Sequence, residues 1–284
     1  MENIYIIGIG LIGGSFAREM RAQKPTAKIY GIDTNEEHIA EAIDLKLIDA
    51  PASIEDLSNA DLVVLAIPVD IAVHVLPKVL DHIGAQTMVI DMGSTKEAIC
   101  ACVSSHINRR NFLACHPIAG TEFSGPSAAI KGLYSGKTNI ICEVEKTAFK
   151  LQEKTLELFK NMGMRLRYMD PVSHDKHIAY MSHLSHISAF MLGKTVIDKE
   201  KNERDIFDMA GSGFASTVRL AKSNPTTWTS IFKQNKENIL ETLDEYILNL
   251  KHFKGLMEQD DFKSVYQEME NTNHIKEILK GLEN

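Results

Sequence analysis

Cysteine is scarce in this chain. Four are present, Cys100, Cys102, Cys115 and Cys142, and no two form a C-x-x-C pair. That argues against a zinc ribbon or a dithiol redox motif. Scattered thiols fit a reducing, cytoplasmic setting. No apolar run approaches the roughly 18 residues of a membrane-spanning helix, so no membrane segment is expected. The apolar stretch Ile4–Ile12 has no basic region before it and is broken by glycines, unlike a signal peptide. A basic surplus is missing too. Lys and Arg total 31 against 38 Asp and Glu, for a net charge of −7. Nucleic acid and anionic membranes are therefore not expected partners. An anionic small molecule is compatible, because a few local cations suffice to hold one.

What is present is an ordinary globular composition, 44% hydrophobic and 24% charged over 284 residues. That length suits about two domains. The first 170 residues alternate β-rich runs with amphipathic stretches. Strands are predicted at Ile4–Ile7, Lys28–Ile32, Leu62–Ile67, Met88–Asp91, Phe112–Cys115, Asn139–Glu143 and Arg165–Met169. Helices are predicted at Gly14–Ala22, Glu36–Leu45, Ile71–His82, Lys96–Ile107 and Ala148–Met162. Runs such as LVVLAI are apolar throughout, as in a parallel sheet covered on both faces. The expectation is an α/β domain over 1–170, a Rossmann-type, doubly wound, mostly parallel sheet. An all-α C-terminal domain is expected over 171–284.

The pattern changes at Asp170-Pro171, a capping residue followed by a proline suited to a first helical turn. His177–Val196 is apolar nearly all round and reads as a buried helix. Asn224-Pro225 is a second start of the same kind. Ile239, Leu243, Ile247, Leu250, Phe253 and Met257 then recur at helical spacing. Core packing is the favoured reading of that stripe, and a dimer seam is the alternative. The polar end after Asn271 looks disordered.

Three features carry chemistry. The first is Gly8-Ile9-Gly10-Leu11-Ile12-Gly13, which follows a strand, opens a helix, and has Asp33 20 positions beyond its last glycine. This context turns a weak motif into a dinucleotide-binding expectation. Gly8 permits the tight turn, Gly10 lets a pyrophosphate approach, and Gly13 lets helix and strand pack closely. Asp33 would accept hydrogen bonds from ribose hydroxyls. It would repel a 2′-phosphate, and no basic neighbour is seen beside it, so NAD is favoured over NADP. The second is a pair of strand ends aimed at the same crevice, Ala66-Ile67-Pro68 and Asp91-Met92-Gly93-Ser94-Thr95-Lys96. They place Ser94 and Lys96 near the nicotinamide, with a plain helix cap as the alternative role for Ser94. The third is His116, at a strand's C-terminal end in a loop shaped by proline and glycine. A histidine there suits general base catalysis.

Gly-Leu-Ile-Gly, Asp-x-Gly-Ser-x-Lys and His-Pro-Ile-Ala-Gly-x-Glu-x-Ser-Gly together resemble the prephenate/arogenate dehydrogenase family of tyrosine biosynthesis. The resemblance continues through His174-Asp175, Ser182-His183-Leu184-Ser185-His186, Gly213-Phe214, Thr217-Val218-Arg219-Leu220-Ala221, Asn224-Pro225 and Trp228. Ser185 departs from it, standing where family members often carry proline. The resemblance implies NAD-dependent oxidative decarboxylation of prephenate to 4-hydroxyphenylpyruvate, and a homodimer formed through the helical, substrate-binding half. It makes His116 the acceptor of the ring hydroxyl proton, with Ser94 bonding the same oxygen and Lys96 adding positive charge. It assigns a substrate carboxylate to Arg219 and the side-chain end of prephenate to His186. His183 is placed either at the substrate or in the core, Arg219 alternatively in an interdomain salt bridge, and Trp228 in packing. The implied cofactor contacts are Gly8, Gly10, Leu11, Ile12, Gly13, Asp33, Ala66, Ile67, Pro68 and Ser94.

No metal is expected. There is no H-E-x-x-H, and hydride transfer needs none. Arogenate is the competing substrate; its amino group adds a positive charge, so a histidine at 186 able to be cationic suits prephenate better. A β-hydroxyacid-type dehydrogenase is disfavoured because G-x-x-G-x-G-x-x-x-K is absent from the start of the helical half. A non-enzymatic NAD-responsive protein would not need His116, Ser94 and Arg219 together.

Overall fold

The computed structural model describes residues 1–201 and 205–282. Its first part alternates strands and helices in the order β1 (Asn3–Ile7), α1 (Leu11–Gln23), β2 (Lys28–Ile32), α2 (Glu36–Asp44), β3 (Ala50–Pro51), β4 (Leu62–Leu65), α3 (Val69–His82), β5 (Met88–Asp91), α4 (Glu97–Ala101), β6 (Phe112–Pro117), β7 (Thr138–Cys142), α5 (Phe149–Asn161) and β8 (Arg165–Met169). These strands form one eight-stranded sheet in the order β3-β2-β1-β4-β5-β6-β7-β8. Every pairing is parallel except β6 with β7.

Strand periodicity builds a core on each face. Ile4, Ile6, Leu62, Val64, Met88 and Ile90 share one buried cluster, and Tyr5, Ile7, Val63, Leu65 and Val89 share the other. Successive side chains point to opposite faces, so these strands carry apolar residues on both faces. Each fully buried aliphatic side chain contributes about 1.5–3 kcal/mol. The chain reverses direction across the sheet between β1 and β4. Ligand crevices form at such a switch point, beyond the carboxyl ends of the strands.

Helices follow: α6 (Pro171–Ile178), a π-helical turn over Ala179–His183, α7 (Leu184–Glu200), α8 (Ser212–Thr217), α9 (Pro225–Gln234), α10 (Lys236–Glu258), α11 (Phe262–Thr272) and α12 (Ile275–Leu282). Both proline starts are capped as the sequence suggests. Asp170 accepts from the Ser173 N–H, and Asn224 accepts from the N–H groups of Thr226 and Thr227.

Several expectations change. β3 was not anticipated; its two residues carry no periodicity, and its proline is tolerated at a sheet edge. The expected helix Lys96–Ile107 shrinks to α4, because the chain turns at Cys102-Val103-Ser104-Ser105, residues with little helical preference. The end after Asn271 is helical, with Ile275, Ile278 and Leu279 in register as α12. His177–Val196 is not a buried helix. Within α7 only His186 and Ala189 are buried, while Met191 and Ile197 are about half exposed (52% and 51%). In the terminal stripe Ile239 is buried, but Ile247, Leu250, Phe253 and Met257 are exposed.

The chain forms two compact units, 1–236 and 237–284. Architecture changes at Asp170-Pro171, yet contacts continue across that point. Asp175 accepts from backbone N–H groups of Lys96 and Glu97, and the Asp70 side chain bonds to Ser230. Helices α6 to α9 thus belong to the same unit as the sheet.

Candidate active site

The glycine turn is sterically committed. Gly8 has φ +91°, and a Cβ there would lie 2.4 Å from the Ala66 carbonyl oxygen. A Cβ on Gly13 would lie 2.0 Å from the Gly8 oxygen. Gly10 differs, since a Cβ there would meet nothing within 4 Å. It faces open space at the start of α1, whose first turn has no side-chain cap and no acidic residue. Exposed first-turn N–H groups and the positive end of the helix dipole suit an anion. At the end of β2, Asp33 accepts from the Ile9 N–H (3.0 Å) and the Asn35 N–H (3.0 Å). The carboxylate is thereby fixed against the glycine turn. It does have a basic neighbour, contrary to expectation: His38 Nδ1, reaching across from α2, lies 3.7 Å away.

A cavity of about 320 Å³ opens beside this turn, lined entirely by the first unit. Gly10, Leu11, Ile12, Ala66, Ile67, Pro68, Ser94 and His116 all line it. Gly8, Gly13 and Asp33 do not line it; Gly8 packs against Ala66 of its wall, and Asp33 holds the Ile9 N–H. Trp228 closes part of the wall from α9, and Glu122 lines it from the loop after β6. Sequence reasoning had assigned Trp228 to packing.

Ser94 is not the cap of α4. The Asp175 carboxylate takes that place, accepting from Lys96 N (2.7 Å) and Glu97 N (2.9 Å). Ser94 itself lines the cavity. Lys96 does not reach the cavity. It is fully buried, ion-paired with Asp91, and donates to the Cys115 carbonyl at 2.6 Å. Asp91 in turn accepts from the Cys115 N–H at 3.0 Å. Burial opposes the ammonium charge, but Asp91 outweighs it and raises the pKa of Lys96. Lys96 is therefore a strut joining β5 to β6 beneath His116.

His116, at the end of β6, is buried with Nδ1 2.8 Å from Nε2 of His174. His174 Nδ1 donates to Asp175 at 2.7 Å. Burial, reinforced by His174, Lys96 and His183, pushes the His116 pKa well below its ordinary value of 6.5. The imidazole is neutral at physiological pH, as a base must be. The sequence showed His174-Asp175 only as part of a resemblance. Their contact with His116 joins positions 58 residues apart and has no local signal.

The remaining assigned residues, His183, His186 and Arg219, do not line the cavity and touch it only through Trp228 or Glu122. His183 is fully buried, accepts from the Asn235 amide at 3.2 Å, and meets Trp228 edge-on at 6.0 Å. Burial pushes its pKa down to about 4, against the attraction of Asp175. It does not line the cavity. His186 stacks on Trp228 with ring centroids 3.4 Å apart. Its Nδ1 donates to the Ser182 carbonyl at 2.9 Å, and burial, aided by Arg219, lowers its pKa. A cationic His186 is thus not favoured at neutral pH, which removes that argument for prephenate over arogenate. Arg219 is 53% exposed and lies 3.5 Å from Glu122 on the cavity wall.

The prephenate dehydrogenase nucleotide-binding domain family matches residues 16–168, and the prephenate dehydrogenase dimerization domain family matches 170–271. The chain belongs to the prephenate dehydrogenase family. Among its relatives is the prephenate dehydrogenase of Bacillus subtilis, 30% identical over 94% of this chain and 73% of the relative. The cyclohexadienyl dehydrogenase of Zymomonas mobilis is 28% identical over 98% and 96%. The solved prephenate dehydrogenase of Aquifex aeolicus, in complex with hydroxyphenyl propionate and NAD+, has 34% identity and a TM-score of 0.89. That match covers 98% of each chain. The eight-stranded sheet and the helices after it are thus the family's fold.

Proposed function

We propose that this chain carries out the NAD-dependent oxidative decarboxylation of prephenate to 4-hydroxyphenylpyruvate, in tyrosine biosynthesis. The observation that carries this reading is a neutral, buried His116 sharing one cavity with Ser94 and the uncapped first turn of α1. NAD fits the turn, where Gly10 leaves room for a pyrophosphate and Asp33 stands ready for a ribose. When bound, it supplies the acceptor for the hydride leaving the ring carbon that bears the hydroxyl.

The chain's own groups do the rest. His116 takes the hydroxyl proton as the hydride leaves, and Ser94 bonds the same oxygen. The ring carboxylate departs as carbon dioxide, and its bonding electrons aromatise the ring. The proton returns from His116 to the phenolate oxygen, so none is lost overall. Arg219 grips a substrate carboxylate, with His186 and Trp228 on the side-chain end and His183 supporting Trp228 from below. Lys96 acts through the backbone of Cys115, next to His116. Purified protein mixed with prephenate and NAD should gain absorbance at the NADH band; no gain with prephenate, under any cofactor, would reject the reading. A neutral His186 whose Nδ1–H is already engaged offers Nε2 as an acceptor, which favours some turnover of arogenate as well. Parallel assays with both substrates decide this.

Cofactor preference gives a separate expectation. Asp33 should make kcat/KM higher with NAD than with NADP, and Asp33→Ser should narrow the gap. A wild-type preference for NADP would show that His38 reverses the sign of the site.

We also propose a cytoplasmic homodimer, with the helical segment from Pro171 onward serving substrate binding and pairing. Among the described residues no helix is long and apolar enough to cross a membrane. Met191 and Ile197 of α7 flank an apolar groove of about 460 Å³ that also includes Ile187 and Phe190. Isologous pairing of two copies would cover it. Light scattering at micromolar concentration should give twice the monomer mass; a monomer would contradict the assignment.

A further inference from the structure

His116 ends a three-residue chain whose hydrogen bonds run in one direction when both imidazoles are neutral. The Asp175 carboxylate accepts from two backbone N–H groups, those of Lys96 and Glu97, at 2.7 and 2.9 Å. It therefore has only acceptor capacity left for His174, whose Nδ1 lies 2.7 Å away and must carry the hydrogen. A neutral His174 then has a bare Nε2. That nitrogen accepts from His116 Nδ1 at 2.8 Å, so the hydrogen of neutral His116 resides on Nδ1. Nε2 of His116 is left bare, and it is the nitrogen able to take a proton from a ligand in the cavity.

We propose that His174 and Asp175 are positioning residues that hold His116 as its Nδ1–H tautomer, so that Nε2 is the base. The inference rests on the reading of His116 as the proton acceptor and extends it to the two groups behind it. Burying three polar side chains in a row is costly unless each is paired. His174 and Asp175 are almost fully buried, at 2% and 3% exposure. Free imidazole has no such constraint. The second-row partner of a catalytic or metal-bound histidine sets which ring nitrogen is available.

The charged and titratable groups facing His116 are consistent with this. His174 faces it from α6, His183 from the π-helical turn, and Lys96 from the loop after β5. The Lys96 charge is met by Asp91. When the substrate O–H bond breaks and a new N–H bond forms at Nε2, His116 becomes an imidazolium. Its Nδ1–H then donates more strongly to His174, and Asp175 balances the added charge through His174. The proton later leaves Nε2 for the phenolate oxygen. No exchange with solvent and no further reactant is required.

The test uses the full chain labelled with 15N-histidine and no substrate. Nitrogen chemical shifts at neutral pH report the tautomer of each ring, and loss of one signal set in His116→Asn assigns His116. The expected result is a protonated Nδ1 and a bare Nε2; a protonated Nε2 would overturn the proposal. In Asp175→Asn the amide can donate to His174 and reverse the chain, so His116 should switch to the Nε2–H form. The carboxylate-to-amide change in a Ser–His–Asp triad lowers kcat about 10⁴-fold through the wrong tautomer. With one more residue in the chain, a loss of roughly 10²–10³-fold is expected here, with NAD binding retained. Unchanged kcat in Asp175→Asn would also overturn it. Should that variant not fold, the wild-type spectrum still decides. The spectrum involves no turnover, so a failure of prephenate as substrate is separately visible in the NADH assay.

Discussion

Replacing His116 with asparagine should lower kcat by about 10²–10⁴-fold, the range a positioned general base supplies. The fold should survive, because an asparagine amide can donate to His174 Nε2, the contact that His116 makes at 2.8 Å. NAD binding should survive too, since the glycine turn and Asp33, the groups proposed to hold it, are untouched by the change. KM should move less than kcat, because the interaction strengthens mainly as the proton transfers. The pH profile gives an independent reading. A histidine whose pKa is pushed down stays neutral to lower pH than usual, so the acid limb of wild-type kcat/KM should fall below the ordinary histidine value of about 6.5. His116→Asn should lose that limb. Near wild-type kcat in the variant, or an unchanged acid limb, would assign the base to another group.

Arg219→Gln should raise KM for prephenate strongly and leave NAD affinity nearly intact. A charge-assisted hydrogen bond is worth about 1.5–3 kcal/mol, or roughly 10- to 150-fold in binding. The structure refines where in that range the effect should fall. Arg219 is half exposed and already faces Glu122 at 3.5 Å, so a substrate carboxylate must compete with that partner and with water. The lower end of the range is therefore expected. A KM unchanged within twofold would leave Arg219 as a partner of Glu122 alone.

Much of this architecture is legible in the sequence because its signals are local. Leu62–Leu65 is apolar at four successive positions and is buried on both faces. Gly8 and Gly13 stand where the backbone leaves no room for a side chain. Asp170-Pro171 and Asn224-Pro225 cap helices by contacts within three residues. What sequence reasoning missed depends on distant partners. Lys96 looked like a cation for the cavity, but Asp91 and the Cys115 carbonyl claim it inside the core. His174 gains its meaning only from a bond to a residue 58 positions away. His186 looked chargeable, yet Trp228 and its own helical turn bury it. Helix α7 looked like core because its residues are apolar on every side. Within one chain that composition leaves Met191 and Ile197 exposed.

In the proposed reaction one cavity couples hydride removal from prephenate to loss of its ring carboxylate. The most direct measurement uses prephenate deuterated at the ring carbon bearing the hydroxyl, with NAD and the wild-type chain. Reduced cofactor and carbon dioxide should form in a one-to-one ratio, with the deuterium recovered in the reduced nicotinamide and 4-hydroxyphenylpyruvate as the product. Deuterium retained in the organic product, or carbon dioxide released without reduced cofactor, would contradict the account.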